Sequence, residues 1–153
     1  METFSVLTLV INDVGETENI TQKIDYDMTS GNSVNNLTSD VNTKSLIINM
    51  TAPESGTLNI TIPRSIINSR TRSLSEDTTE CGEGCDCTID DIFYVIIDGE
   101  EIIHTETATT TDRTIIIPFM ESSEVMEIIG TSVIEDLYTI GDGIAMATDI
   151  RIR

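Results

Sequence analysis

Two short stretches of the chain suit a half-buried strand and no other regular element. In Leu46-Ile47-Ile48-Asn49-Met50-Thr51 the residues Leu46, Ile48 and Met50 fall on alternate positions, and Leu58, Ile60 and Ile62 do so in Thr57-Leu58-Asn59-Ile60-Thr61-Ile62. Successive side chains of a strand point to opposite faces, so this period of two means one face in a core and one in water. Composition extends the reading to the whole chain. Of 153 residues, 25 are isoleucine and 23 threonine, both β-branched and suited to a pleated surface. Tryptophan is absent and alanine scarce, so the usual filling of helices is missing.

The Pro-Glu-Ser-Gly sequence at 53–56 is expected to join the two anchor strands as a hairpin, and Pro63 ends the second because it cannot donate to a ladder. Residues 63–70 (PRSIINSR) have the makings of one helical turn, and the polar stretch 70–90 reads as a long loop. A continuous apolar run, 92–97, then meets Asp98-Gly99, the preferred pair for a type I′ hairpin turn. The return strand is expected over 100–107, with Ile97 opposite Glu100, Val95 opposite Ile102 and Phe93 opposite His104. Further strands are expected at 3–12, 20–28, 34–41, 113–119 and 124–131, with a pair at 132–139 and 144–151 around Gly141-Asp142-Gly143. Short strands at this spacing predict an all-β protein, an antiparallel, immunoglobulin-like β-sandwich with extra terminal strands. Residues 1–131 form the sandwich domain in this reading, and 132–153 a C-terminal strand extension packed on it or donated from it.

The formal charge is −19, from 27 acidic and 8 basic side chains, and the pI is near 4.1. Binding to nucleic acid rests on Lys and Arg displacing counterions from phosphates, so nucleic acid is not an expected partner. Anionic membrane surfaces are disfavoured for the same reason. No stretch reaches the roughly 18 apolar residues of a spanning helix, so no membrane span is expected. The opening METFSVLTLVIND lacks a basic n-region and a small-residue cleavage site. It reads as a strand, and a secreted protein so numbered is expected to be a mature or engineered form without its signal.

The run SLIINMTAPESGTLNITIPRSII, then DIFYVIIDGEEI, then TTTDRTIIIPFMESSEVMEIIGT resembles a β-sandwich module that recurs in secreted and cell-surface proteins of ammonia-oxidising archaea, the Thaumarchaeota. In that module a GTLTITLPR strand precedes an FFVLVDGEE hairpin, an RTLTI.F strand and an EIEIIGT end. Each has its counterpart here, in order, over about residues 45–131. The resemblance implies an extracellular location and no known catalysis, and it carries over no functional residues. The chain departs from the module in its cysteine-bearing loop and in its tail.

Four Asn-X-Thr sequons mark candidate glycan sites at Asn19, Asn36, Asn49 and Asn59, in a chain whose Asn and Thr content alone yields some of them. Asn49 and Asn59 occupy outward positions of the anchor strands, where a hairpin register would make two glycans crowd each other. Cys81, Cys85 and Cys87 stand in CGEGCDC, and two readings apply. One is a disulfide of Cys81 with Cys85 or Cys87 that leaves a thiol for pairing between chains. The other is a Zn or Cu site with Glu80, Glu83 and Asp86 nearby and His104 as a fourth ligand, although the spacing matches no standard Cys pair. No cofactor or resident metal is expected. His104, the sole histidine, falls in a predicted strand and reads as structural. The acidic pairs Asp25/Asp27, Asp90/Asp91 and Glu100/Glu101 match no calcium loop, and no nucleotide, zinc-protease or nucleophile-elbow motif occurs. The chain is expected not to be an enzyme.

Apolar strands at the chain ends, Thr3–Asn12 and Ile150–Arg153, must find a sheet in their own molecule or in a neighbour. The expectation is an extracellular structural subunit that assembles with itself into a filament, pilus or surface layer, by donor-strand addition and an interchain disulfide. The alternative is a monomeric metal- or ligand-binding surface domain built on the cysteine loop.

Overall fold

The structure, a computed structural model, describes residues 2–11, 15–72, 88–141 and 143–150. Its first strands are β1 (Glu2–Ile11), β2 (Thr17–Met28), β3 (Ser33–Asp40), β4 (Ser45–Thr51) and β5 (Gly56–Pro63). Three short ones follow, β6 (Ile67–Asn68), β7 (Arg70–Arg72) and β8 (Thr88–Asp90). Next come β9 (Tyr94–Ile97), β10 (Glu100–Glu101), β11 (Thr105–Ala108) and β12 (Asp112–Phe119). The last are β13 (Val125–Ile129), β14 (Ser132–Val133), β15 (Glu135–Gly141) and β16 (Ile144–Ile150). Among the described residues there is no helix, and the all-β expectation holds.

Twelve strands share one hydrogen-bonded sheet in the order β10-β9-β13-β4-β3-β15-β16-β1-β2-β5-β12-β11. A flat sheet of twelve strands at ~4.8 Å spacing would hold its edges roughly 50 Å apart. Yet residues 102–104 alone join edge strand β10 to edge strand β11, a reach of at most ~14 Å. The sheet therefore rolls over on itself until its edges meet at a seam. The short link 52–55 makes the same demand, since it joins β4 to β5 although β3, β15, β16, β1 and β2 lie between them.

The space enclosed is the core. Leu46, Ile48 and Met50 of β4 meet Leu58, Ile60 and Ile62 of β5 there, with Ile115, Ile117 and Phe119 of β12 and Met126 and Ile128 of β13. Each large aliphatic side chain so buried contributes about 1.5–3 kcal/mol of transfer free energy.

Several local expectations are corrected. The anchor strands do not form a hairpin: β4 pairs with β3 and β13, β5 with β2 and β12, and the 53–56 turn carries the chain over the core. Two strands whose apolar faces meet one core from opposite sides cannot also lie side by side. The helical turn after Pro63 is a single tight turn, with the Ile66 N–H donating to the Pro63 carbonyl at 2.9 Å. Burial of both Ile66 and Ile67 then holds the chain extended in β6. The stretch expected as a loop over 70–90 is strand at both ends, where β7 and β8 form a ladder, and residues 73–87 lie outside the described residues. The return strand after Asp98-Gly99 stops at Glu101, and from there the chain crosses the seam, leaving Ile103 91 % exposed.

The type I′ turn is present, with φ of 49° at Asp98 and 89° at Gly99, and the Asp98 carboxylate accepts the Val125 N–H at 2.9 Å. The sheet is mixed where an antiparallel one was expected, since β1 and β16 run parallel. Residues 132–150 supply β14, β15 and β16, and the last two sit in mid-sheet between β3 and β1.

Gly130, just after β13, packs against the β6 backbone: a Cβ there would lie 2.3 Å from the Asn68 carbonyl oxygen. That oxygen also accepts the Thr131 N–H at 2.9 Å and cannot retreat freely. Gly130→Ala is expected to cost about 1–3 kcal/mol, read as a lower urea midpoint. An unchanged midpoint would contradict this close approach.

Candidate functional site

In a chain with 8 basic side chains, three arginines from different elements converge beside the seam. Arg64 follows β5, Arg70 lies on β7 and Arg113 on β12, and they meet Asp90 of β8 and Glu106 of β11. Arg113 holds the inward phase of its strand, alternating with Ile115, Ile117 and Phe119, and is 2 % exposed. Its Nη1 donates to Asn68 Oδ1 at 2.9 Å and to the Ser69 carbonyl at 3.0 Å. Its Nη2 donates to the Asp91 carbonyl at 2.7 Å and to Glu106 Oε1 at 2.9 Å. The guanidinium also stands 4.6 Å over the Phe93 ring, a favourable cation–π distance. Its Nε is buried without a partner.

Glu106 completes the connection across the seam. Its Oε2 accepts the Phe93 N–H at 2.7 Å and lies 2.6 Å from His104 Nε2. The side chains of His104 and Glu106 are only 8 % and 10 % exposed. One carboxylate therefore ties the entry of β9, next to edge strand β10, to edge strand β11, with which β9 shares no ladder. At the other end of the seam Ile97, Ile102, Pro118, Phe119 and Met120 line a groove of about 420 Å³.

Asp90 anchors the outer part of the cluster. Arg64 grips it bidentately, at 2.6 and 2.8 Å, and also donates to the Thr109 carbonyl at 2.7 and 3.0 Å. Arg70 reaches the same Asp90 Oδ1 at 3.0 Å. The Arg64 hydrogen bonds, with the positive charge of Arg64, Arg113 and Arg70, hold the Asp90 carboxyl down at about 2. Arg64 is correspondingly raised by its hydrogen bond to Asp90. The arrangement does mechanical work: it clamps the β7–β8 ladder to the closed seam.

The sequons lie on four different strands: Asn19 on β2, Asn36 on β3, Asn49 on β4 and Asn59 on β5. The expected neighbour of Asn49 is corrected, because the β4–β5 hairpin does not exist. Asn49 stands opposite Asn36, and its Nδ2 donates to Asn36 Oδ1 at 2.6 Å. Cys81, Cys85 and Cys87, with Glu80, Glu83 and Asp86, lie outside the described residues. His104 is not in a strand opposite Phe93. It stands in the crossing, engaged with Glu106. Among the described residues no three His, Cys, Asp or Glu side chains are grouped so as to hold a metal ion, and no helix is long and apolar enough to cross a membrane.

Sequence reasoning missed Arg113 and Glu106. The signal was available for Arg113, a charge in phase with the alternation of a core strand, whereas nothing local marks Glu106. No protein-family model matches the chain, and neither does any curated protein or solved structure.

Removing one partner of a buried ion pair strands the other charge, so Arg113→Ala is expected to cost about 3–5 kcal/mol in denaturant unfolding. A loss no larger than that of an exposed substitution would show that the cluster bears no strain. The second expectation concerns acid. Asp90 has a folded value below its unfolded one, so its stabilisation is complete above the ordinary carboxylate value of 3.8 and is lost as pH falls through about 2. Hydrogen-exchange protection factors of β7 and β8 should hold near about pH 4 and fall toward pH 2, and Asp90→Asn should abolish that dependence.

Proposed function

We propose that the protein is a non-enzymatic, extracellular structural subunit of an archaeal cell-surface structure, assembling with copies of itself into a filament or surface layer by exchange of β1. The archaeal and extracellular parts rest on the module resemblance over about residues 45–131. The observation that carries the assembly is the position of β1. This strand lies inside the sheet between β16 and β2, paired with β2 over its whole length.

Both flanking strands have another partner as well, β15 for β16 and β5 for Asp25–Met28 of β2, so these parts of the slot would keep their walls when β1 leaves. The same strand of a second copy brings the same inward set, Phe4, Val6, Thr8 and Val10, so exchange replaces buried contacts within one molecule by identical contacts between molecules. This matters for a chain of charge −19, whose surfaces repel their copies. The sheet edges offer no easier route. β10 consists of two glutamates and β11 of four residues, and short, charged edges are poor templates for pairing. A disulfide between chains through the Cys81–Cys87 segment and N-linked glycans at the sequons complete the reading.

The test locks β1 in its own molecule. Leu7 and Thr21 face each other across the β1–β2 ladder, and Leu7→Cys with Thr21→Cys should join them. The locked chain is expected to remain monomeric under electron microscopy where the intact chain polymerises. Locked protein polymerising as well as intact protein would rule out exchange of β1.

A further inference from the structure

We infer that Asn19 and Asn59 are the glycan-bearing sites, and that Asn36 and Asn49 form a hydrogen-bonded pair that carries none. The inference rests on the extracellular reading above and sharpens it, from four equivalent sequons to one decorated face.

In N-glycosylation the side-chain amide nitrogen loses one hydrogen, as a proton, and bonds to the anomeric carbon of a sugar. The bond from that carbon to a phosphate-linked lipid carrier breaks, and the carrier leaves with the electron pair. The acceptor nitrogen must be accessible, and the sugar needs room over the adjacent sheet.

Asn19 and Asn59 meet both needs. Each is exposed and outward: Asn19 shares the phase of exposed Thr21 and Lys23, and Asn59 stands between buried Leu58 and Ile60. They do not crowd each other. Asn59 is in register with Asp27, at the other end of β2 from Asn19, roughly 27 Å away at ~3.4 Å per residue.

Asn36 and Asn49 fail on both counts. They are only half exposed, and they stand directly opposite each other across the β3–β4 ladder. Opposed Cβ atoms on one face lie about 5 Å apart, so a sugar on either nitrogen would lie over the other residue. The Asn49 nitrogen is, moreover, the donor of the 2.6 Å bond to Asn36 Oδ1.

The outer surface around Asn59 presents Asp27, Thr57, Thr61, Thr114 and half-buried Ile116, and that beside Asn36 and Asn49 presents Ile47, Ile96 and Ile129 with Glu127 among them.

The test is glycopeptide mass spectrometry of the folded protein from a glycosylating archaeal host, with cell fractionation in parallel. Asn19 and Asn59 are expected to carry glycan in most chains, and the peptides of Asn36 and Asn49 to keep their unmodified mass. Glycan on Asn36 or Asn49, or exported protein bare at Asn19 and Asn59, would overturn this assignment and leave the structural-subunit reading standing. Protein retained inside the cell would overturn both.

Discussion

The closure of the sheet depends on what happens at its two edges, and there the Glu106 carboxylate and the Arg113 guanidinium hold the molecule together. The edges share no ladder, so their polar groups are joined by side chains instead. Glu106 accepts from the Phe93 backbone, at the entry of β9 beside edge strand β10, while its own strand forms the other edge. An isolated carboxylate at this depth would be strongly unfavourable, and Arg113 makes it tolerable by hydrogen bonding and charge. The interaction is worth less as net stabilisation than as specification. Once both charges are buried, any arrangement that separates them leaves one unpaired, which selects this way of closing the seam over others that bury a similar apolar area.

Closure has consequences elsewhere. It reduces the free edges to short strands and places β1 in the middle of the sheet, between β16 and β2. It also brings β12 close to the β7–β8 ladder, so that Arg64, Arg70 and Arg113 gather around Asp90 in an otherwise acidic molecule.

The rolled sheet has two broad outer faces, and they are not equivalent. Both carry sequons, but one pair is turned to water at separate positions while the other is engaged in a bond of its own. Outward-facing sequence position is therefore only a necessary condition for modification. Cross-strand register decides what stands over each nitrogen, and register here depends on which strands pair.

Alternation and β-branched composition made the strand class and the inward residues legible in the sequence, because a two-residue period reports the local pleat regardless of the neighbour. Leu46, Ile48, Met50, Leu58, Ile60 and Ile62 are all buried as that period requires. The Asp98-Gly99 turn was equally local, since positive φ at two successive residues is a property of those residues. What alternation cannot report is the partner. The same inward pattern serves a strand whose neighbour lies beside it or across the core, and so β4 and β5 were read as a hairpin where they face each other through the core. Likewise a hairpin reading sets Asn49 against Asn59 and not Asn36, and nothing local marks Glu106. Each of these was decided by contacts between residues distant in sequence, formed only when the sheet rolls far enough for its edges to meet.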